Sequence, residues 1–267
     1  MVINLHLLDT CDFRCNHCFS LFGAKKTLHW EQWKTIVDNI LNNILVERFN
    51  LAGGEPLLYN GITELTDYIR SRGTEVSIIT NGYSLSNDKI DLLNKYGISM
   101  IGLSVDSTQI STLHKLGRHT VSGNILEPKR CISLCRHIKK RGMSLKINSV
   151  ISQLNYTEDF NSFINIAAPK RWKILKVKEF KKGLYDNSSL MVSDTQFNSF
   201  LHRHNTIPYV VERTMANAYI MVDAFGNLVD TGSNDNTPVA NLLNVNFADA
   251  FMCLQFDHET YQARYAA

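Results

Sequence analysis

Short apolar runs alternate with longer amphipathic segments along the first two thirds of the chain. The short runs predict β-strands, and the amphipathic segments predict helices. The predicted strands are Val2–Leu8, Arg48–Leu51, Glu75–Thr80, Met100–Ser104, Leu145–Ile151 and Trp172–Lys178. The predicted helices are Trp30–Leu45, Ile62–Arg72, Asn87–Tyr96, Ile125–Arg141 and Thr157–Ala167.

This order of elements predicts an α/β fold. Six strands in series with helices between them favour a parallel sheet with right-handed crossovers, which we expect to curl into a partial (β/α)6 barrel. The functional site of such a barrel lies at the C-terminal ends of its strands. After Lys182 the pattern changes to a polar loop, a helix at Asp194–Arg203 and a hairpin over Tyr219–Thr231 with Gly226 and Asn227 at its turn. We therefore expect a barrel over residues 1–182. A C-terminal extension over residues 183–267 would pack on it and close its mouth as part of one structural unit.

Three cysteines follow the first predicted strand. Cys11, Cys15 and Cys18 have the spacing C-x3-C-x2-C, with the aromatic Phe19 directly after them. A structural zinc site or a fully protein-held [4Fe–4S] cluster uses four protein ligands, so three thiolates would leave one iron of a cluster open. The alternatives are a zinc site completed by a histidine such as His17, and three unrelated thiols.

The next three strands also end in polar or glycine-rich motifs. Gly53-Gly54-Glu55-Pro56 allows close backbone approach to a ligand, and its carboxylate can accept from an ammonium group, although the same residues also suit a plain turn. Asn81 is followed by a glycine, which is compatible with a turn or a ligand contact. Ser104 and Asp106 suit the hydroxyls of a ribose, whereas Asp106 and Ser107 also suit helix capping.

Two strands late in the predicted barrel carry cations. Strand alternation places Lys146 and Asn148 on one face of the fifth strand, and Arg171 and Lys173 on one face of the sixth. Three cations inside a barrel are costly without an anion, and a triphosphate would neutralise them. The alternatives are charges that extend to solvent at the barrel rim or that pair with Glu and Asp.

Composition limits the remaining classes. The 267 residues are 44% hydrophobic with a net charge of +3, which gives no support to nucleic-acid or membrane binding. Six unevenly spaced cysteines do not form a disulfide framework. No apolar run approaches a membrane-spanning length and no leader is recognisable, so we expect a soluble cytoplasmic protein. The reducing cytoplasm would keep the thiolates of a cluster site reduced.

The cysteine spacing followed by G-G-E-P resembles the radical S-adenosylmethionine (SAM) superfamily. Within it, K-I-N-S-V-I from Lys146, the later R-W-K from Arg171, S-V-D-S from Ser104 and L-G-R ending at Arg118 resemble the viperin family, including its prokaryotic members. The resemblance implies a radical SAM lyase. Its 5′-deoxyadenosyl radical removes the C4′ hydrogen of a ribonucleoside triphosphate. The product is a 3′-deoxy-3′,4′-didehydro nucleotide that terminates viral RNA chains.

The resemblance also implies roles for individual residues. Cys11, Cys15 and Cys18 would hold the [4Fe–4S] cluster. The residues implied to bind SAM are Gly53, Gly54, Glu55, Asn81, Ser104 and Arg118, with His17 stacking on adenine. Lys146, Arg171 and Lys173 would bind the triphosphate of CTP, UTP or GTP. Asn148 would lie near the reacting sugar.

Further expectations concern the tail and the partners. The family supplies a tyrosine from a C-terminal segment that folds over the nucleotide, and Tyr265, or alternatively Tyr261, could take that part. We expect a monomer that receives electrons from a flavodoxin or ferredoxin. Two other functions compete. One is a radical SAM enzyme acting on a peptide or another small molecule, and the other is a non-catalytic iron–sulfur or nucleotide-binding protein.

Overall fold

The computed structural model describes residues 1–18, 27–182, 185–212, 214, 216–232 and 236–265, with the side chains of residues 181, 182, 185, 264 and 265 excepted. Twelve strands are present in these ranges: β1 (Val2–His6), β2 (Arg48–Ala52), β3 (Glu75–Thr80), β4 (Ile98–Ser104), β5 (Ser144–Ile151), β6 (Arg171–Lys176), β7 (Lys181–Lys182), β8 (Tyr185–Asp186), β9 (Val210–Glu212), β10 (Ile220–Val222), β11 (Asn227–Asp230) and β12 (Thr237–Asn241).

Nine α-helices accompany them in the described ranges: α1 (Trp30–Leu41), α2 (Ile62–Ser71), α3 (Asn87–Lys95), α4 (Ile110–Lys115), α5 (Pro128–Lys140), α6 (Asn161–Ala167), α7 (Asp194–Arg203), α8 (Phe247–Met252) and α9 (His258–Tyr265). Short 3₁₀ helices lie at Pro56–Leu58 and Ser188–Leu190.

The central feature is one ten-stranded sheet in the order β12-β11-β10-β1-β2-β3-β4-β5-β6-β9. Strands β1 to β6 are parallel and consecutive, as the sequence predicts. The sheet is not closed, which confirms the partial barrel.

The extension after Lys182 joins both edges of this sheet. Strand β9 pairs in parallel with β6, and β10 pairs in parallel with β1 through Ile3 and Ile220. The predicted hairpin is β10 and β11, and Gly226 at its turn has φ +83°, a conformation that favours glycine. The division of the chain at Lys182 stays a prediction, because strands from both sides of it share the sheet.

Apolar helix faces cover one side of the sheet. Helix α1 buries Trp33, Ile36, Val37 and Ile40 in the core that also contains the apolar strand residues. Because strand side chains alternate, the other side chains of β1 to β6 face the inside of the partial barrel. The fold therefore leaves the barrel interior available for polar groups.

Helix boundaries differ from the sequence prediction where local chemistry ends a helix. Helix α1 ends at Leu41, because Asn43 turns its amide onto the carbonyl of Asn39 instead of continuing the helix. Helix α5 begins at Pro128, which lacks an amide hydrogen and suits the first helical position. Among the described residues, no helix combines the length and the apolar character that crossing a membrane requires.

Candidate active site

A large cavity occupies the interior of the partial barrel. Its empty volume is about 1460 Å³, including space open to solvent at its mouth. It is lined by residues of the parallel strands and of the loop that carries the cysteines. The predicted site residues that line it are Cys11, Cys15, His17, Cys18, Gly53, Gly54, Asn81, Ser104, Arg118, Lys146, Asn148, Arg171 and Lys173.

The loop that carries the cysteines is fixed by backbone contacts with the segment after α4. The amide of Arg14 donates to the carbonyl of Gly117 at 3.3 Å, and the amide of Asn16 donates to Leu116 at 2.9 Å. Gly117 has φ +70°, and a Cβ atom on it would lie 2.2 Å from the Arg14 carbonyl oxygen. This close approach explains why a glycine follows Leu116 in the L-G-R motif.

The three thiols form one wall of the cavity, and each is partly buried. Burial raises the pKa of Cys11 to about 12 and also raises the pKa of Cys15. Without a metal both thiols are therefore protonated at neutral pH, and metal binding has to release these protons. Soft thiolate donors select iron–sulfur clusters or zinc among biological metals.

A single zinc ion does not suit this arrangement. Within the described part of the chain, no three His, Cys, Asp or Glu side chains are placed to hold one metal ion. His17, the proposed fourth zinc ligand, instead lies with Nε2 at 3.2 Å from Oδ2 of Asp106. Cluster thiolates each bind a different iron and need not converge on one point. The donor set therefore fits a cluster better than a zinc ion.

Asp106 organises the residues beside Cys15. Its Oδ2 lies 3.3 Å from Nε of Arg118, and its Oδ1 accepts from the amide of Val150 at 2.8 Å. Burial alone would raise the pKa of Asp106, but Arg118 and His17 outweigh it and lower the pKa to about 2. The carboxylate is therefore charged and holds both cavity-lining side chains, which differs from the ribose contact or helix cap suggested by the sequence.

The glycines of the G-G-E-P motif bring the β2 end against the cysteine loop. The amide of Gly54 donates to the carbonyl of Leu8 at 2.6 Å. A Cβ atom on Gly54 would lie 2.2 Å from the carbonyl oxygen of Thr10. Only glycine fits here, and both Gly53 and Gly54 expose backbone to the cavity.

Glu55 has a fully buried side chain, and it is not among the described residues that line the cavity. A contact of its carboxylate with an ammonium group therefore stays a prediction. Its Oε1 accepts from the Leu57 amide at 3.1 Å and from the Thr80 hydroxyl at 2.6 Å, and its Oε2 accepts from the Asn81 amide at 2.8 Å. Glu55 therefore fixes the ends of β2 and β3 to each other. Burial raises its pKa to about 7, although these hydrogen bonds favour the carboxylate.

Asn81 and Ser104 lie on the same side of the cavity. The amide of Asn81 donates to Asp12 at 2.6 Å and lies 3.8 Å from the sulfur of Cys11. The backbone carbonyl of Ser104 accepts from Arg118, and its side chain is partly exposed. Asn81 is therefore engaged with the cysteine loop, while the Ser104 hydroxyl borders the open space.

The cations of β5 and β6 line the same cavity and lie in the N-terminal halves of these strands. Lys146 pairs in register with Arg171, and Asn148 pairs with Lys173. All four side chains lie on the cavity side, in agreement with the alternation inferred from the sequence, while Trp172 is buried in the core. The buried Oδ1 of Asn148 has no hydrogen-bond partner within the protein. Unpaired buried oxygens are costly, so this atom is suited to a ligand.

Lys173 agrees with the alternative inferred from the sequence, in which a cation of these strands pairs with a Glu or Asp carboxylate. Its ammonium forms an ion pair with Glu212 on β9 and donates to the Tyr219 hydroxyl at 3.1 Å. The protein therefore supplies a counter-ion for Lys173. Tyr265 lies outside the described side chains. The alternative Tyr261 accepts from the Val2 amide at 2.6 Å and is buried, so its hydroxyl is engaged at the start of β1. Phe19 also lies outside the described residues.

Several cavity residues were missed by sequence reasoning. Arg48 at the start of β2 adds a cation, and Asn4, Asn50 and Ser77 form a hydrogen-bonded chain across β1, β2 and β3 with contacts of 2.8 and 2.9 Å. The sequence contained evidence for some of these residues, because Asn4, Arg48 and Asn50 are polar residues in otherwise apolar strands, and strand alternation places Arg48 and Asn50 on the same face. No comparable signal marked Glu212.

The sequence is similar to proteins of one known family. The model of the Radical SAM superfamily matches residues 5–162. A protein of Selenomonas ruminantium named S-adenosylmethionine-dependent nucleotide dehydratase is 35% identical over 272 residues, covering 99% of this chain and 98% of that protein. A protein of Flammeovirga pacifica with the same name is 32% identical, covering 97% of this chain and 92% of that protein.

A solved structure gives a matching fold. Streptococcus suis SuiB bound to S-adenosylmethionine superimposes with a TM-score of 0.73 at 16% identity. The match covers 98% of this chain and 66% of SuiB, so this chain spans just under two thirds of that protein. At this identity the likeness extends to the fold alone.

Proposed function

The chain belongs to the radical SAM superfamily and, within it, to the S-adenosylmethionine-dependent nucleotide dehydratases, and on this premise we propose that it dehydrates a ribonucleoside triphosphate. The proposed product is the 3′-deoxy-3′,4′-didehydro analogue of the substrate. In this reaction the ribose loses its C4′ hydrogen and its 3′-hydroxyl, while the base and the triphosphate are unchanged.

One observation carries the proposal. The cysteines and the cations border the same cavity, with Cys11, Cys15 and Cys18 in the loop after β1 and Lys146 and Arg171 in the N-terminal halves of β5 and β6. A cluster-bound cofactor and a polyanion could therefore lie in contact inside one cavity. A substrate without a polyanionic group would leave the cationic wall without a function.

The cofactors are a [4Fe–4S] cluster and SAM. When bound, they supply the 5′-deoxyadenosyl radical that removes a hydrogen atom from the substrate. The protein contributes binding, orientation and electrostatics. We assign Cys11, Cys15 and Cys18 to the cluster, and Gly53 and Gly54 to the methionine part of SAM.

The remaining cofactor contacts are proposed from their position on the cavity wall. Ser104 and Arg118 would contact SAM directly, and Asn81 would act by holding the cysteine loop. Asp106 keeps Arg118 and His17 in place, which fixes the cavity wall next to Cys15. Such supporting residues matter because abstraction requires the reacting atoms to lie in near contact.

The substrate contacts follow the polarity of the cavity. Lys146, Arg171 and Lys173 would bind the triphosphate, with Arg48 as a further cation at the same end. Arg and Lys donate charge-assisted hydrogen bonds to phosphate oxygens. Asn148 would lie beside the sugar, where its unpaired oxygen can accept from a ribose hydroxyl. We propose CTP, UTP or GTP as the substrate and a flavodoxin or ferredoxin as the electron donor.

The test is an anaerobic incubation of reconstituted protein with dithionite, SAM and one ribonucleoside triphosphate at a time, followed by mass spectrometry. We expect a nucleotide lighter by one water, formed together with 5′-deoxyadenosine. Formation of 5′-deoxyadenosine without a dehydrated nucleotide in any reaction would overturn the proposed function. That result would favour a peptide or another small molecule as the substrate.

A further inference from the structure

A carboxylate contacts one cation of the proposed phosphate-binding wall. Glu212 ends β9, the strand that pairs with β6 at the edge of the sheet. Its side chain is 4% exposed, and it forms an ion pair with Lys173, whose side chain is 8% exposed. A buried anion next to a site for polyanions opposes binding through like-charge repulsion.

A third residue completes this group. The Tyr219 hydroxyl donates to Oε1 of Glu212 at 2.7 Å and accepts from the ammonium of Lys173 at 3.1 Å. Tyr219 also places its ring 5.4 Å from the same ammonium. Each member of the group therefore contacts the other two, and both Lys173 and Tyr219 line the cavity.

The geometry permits exchange of the counter-ion of Lys173. Lys173 is next in register to Asn148, so its ammonium can be reached by a ligand that lies in the cavity. If a phosphate oxygen takes the ammonium, Glu212 keeps the hydroxyl of Tyr219 as a donor. This second partner matters because a buried charge left without any partner is strongly destabilising.

We propose that Glu212 is an internal counter-ion that competes with the triphosphate for Lys173, and thereby weakens the binding of both substrate and product. The inference rests on the proposed function and concerns its phosphate-binding wall. Dehydration of the ribose leaves the triphosphate unchanged, so phosphate contacts stabilise substrate and product alike. Such uniform binding does not accelerate the chemical step, and it slows release of the product. Re-formation of the ion pair between Lys173 and Glu212 would favour release of the product.

Two substitutions with opposite expected effects test the proposal. Glu212→Gln removes the competing charge, so tripolyphosphate and CTP, UTP or GTP should bind at least tenfold more tightly. Tyr219→Phe keeps the ring but removes the donor that stabilises displaced Glu212, so the same ligands should bind several-fold more weakly. Both are measured by titration calorimetry with anaerobically reconstituted protein in the absence of reductant. In turnover, Glu212→Gln should lower KM and kcat together, because product release becomes slower.

The control is Glu158→Gln. Glu158 is also a buried carboxylate, bonded to the Ser107 hydroxyl at 2.7 Å, but it does not belong to the described cavity lining. The Glu158→Gln substitution should leave phosphate binding unchanged. If the folded Glu212→Gln variant binds phosphate ligands more weakly than the wild type or equally well, the proposal is overturned. An ion pair with only a structural role would predict weaker ligand binding in both Glu212→Gln and Tyr219→Phe. If Glu212→Gln does not fold, unchanged or tighter binding in Tyr219→Phe overturns the proposal instead.

The two proposals fail in different ways. If the wild type binds tripolyphosphate but dehydrates none of the nucleotides, the proposed function fails, and the two variants still decide the role of Glu212. If the wild type dehydrates a nucleotide while both variants bind more weakly, only the counter-ion proposal fails. A wild type that does not bind tripolyphosphate overturns the counter-ion proposal directly.

Discussion

Nη1 of Arg118 lies 3.6 Å from the sulfur of Cys15. A fixed cation thus stands directly against a proposed cluster ligand. The same guanidinium is held by Asp106 from the end of β4, so the cysteine loop and the β4 end are joined through one side chain. Outer groups of this kind position metal ligands, and their loss typically reduces metal affinity or activity by about 10- to 100-fold.

Replacement of Arg118 by methionine should weaken SAM binding by about 10- to 100-fold, because the cation beside Cys15 and the support from Asp106 are both lost. The measurement is the SAM-induced change in the electron paramagnetic resonance spectrum of the reduced, reconstituted protein. Arg136→Met on the exposed side of α5 is the matched control and should behave as the wild type. An unchanged SAM titration in Arg118→Met would contradict the assignment.

Substitution of Lys146 or Arg171 by methionine should weaken nucleotide binding by about 10- to 100-fold each, since a charge-assisted hydrogen bond contributes about 1.5–3 kcal/mol. SAM affinity should stay unchanged, because these residues lie in the N-terminal halves of their strands, whereas the cysteine loop follows the C-terminal end of β1. Calorimetric titration with CTP, UTP and GTP measures the first effect. Lys140→Met at the exposed end of α5 is the control. Equal loss of nucleotide and SAM binding would indicate a folding defect instead.

Gly117→Ala should prevent stable cluster binding while the barrel stays folded. The added methyl group would collide with the carbonyl of Arg14 at 2.2 Å, and the residue has φ +70°, which alanine rarely adopts. The expected result is a low iron content after reconstitution with nearly unchanged far-ultraviolet circular dichroism. Gly142→Ala is the matched control, because Gly142 has φ +75° but no atom lies near the added methyl group. This variant therefore shows the effect of backbone strain without the collision. Full iron content in Gly117→Ala would refute the prediction.

The stability of the metal-free protein should depend on pH through the ionisation of Glu55. Because its pKa is raised from 4.5 to about 7 by burial, the neutral form contributes stability that is fully present below about pH 4.5. That contribution is lost as the pH rises through about 7, with a total change of about 3 kcal/mol. Glu55→Gln cannot ionise, so its stability relative to the wild type should increase between pH 5 and pH 8. Urea denaturation of both proteins at the two pH values measures this difference. A difference that does not change with pH would contradict a pKa near 7, because Glu55 would then keep one protonation state from pH 5 to pH 8.

The sequence predicted the order of the parallel strands because each strand is an apolar run bounded by turn residues. Strand alternation also predicted correctly that Lys146 and Asn148 share the inward face of β5. The position of Glu55 could not be derived in this way, because a motif names a residue without giving the direction of its side chain. Three donors hold that carboxylate in the protein: the amide of Leu57, the hydroxyl of Thr80 and the amide of Asn81.

Long-range pairing accounts for most of what sequence reasoning missed. Lys173 and Glu212 meet because β9 adds to the sheet beside β6, and Tyr219 meets them because β10 adds beside β1. Strand β9 is three residues long and carries no periodic signal of its own. Strand β10 was predicted as part of the hairpin over Tyr219–Thr231, but its pairing with β1 was not. Their location is set by the unpaired edges that β1 and β6 leave in an open sheet.

The pairing of Ile3 with Ile220 has a consequence for the newly made chain. Strand β1 leaves the ribosome long before β10, the neighbour that covers its outer edge. Until then the cysteine loop projects from a strand with one exposed edge, in a nascent chain whose thiols are open to oxygen and to aggregation partners. Slower synthesis before β10 would lengthen this vulnerable interval, so the yield of intact protein should depend on translation speed and on the oxygen supply of the culture.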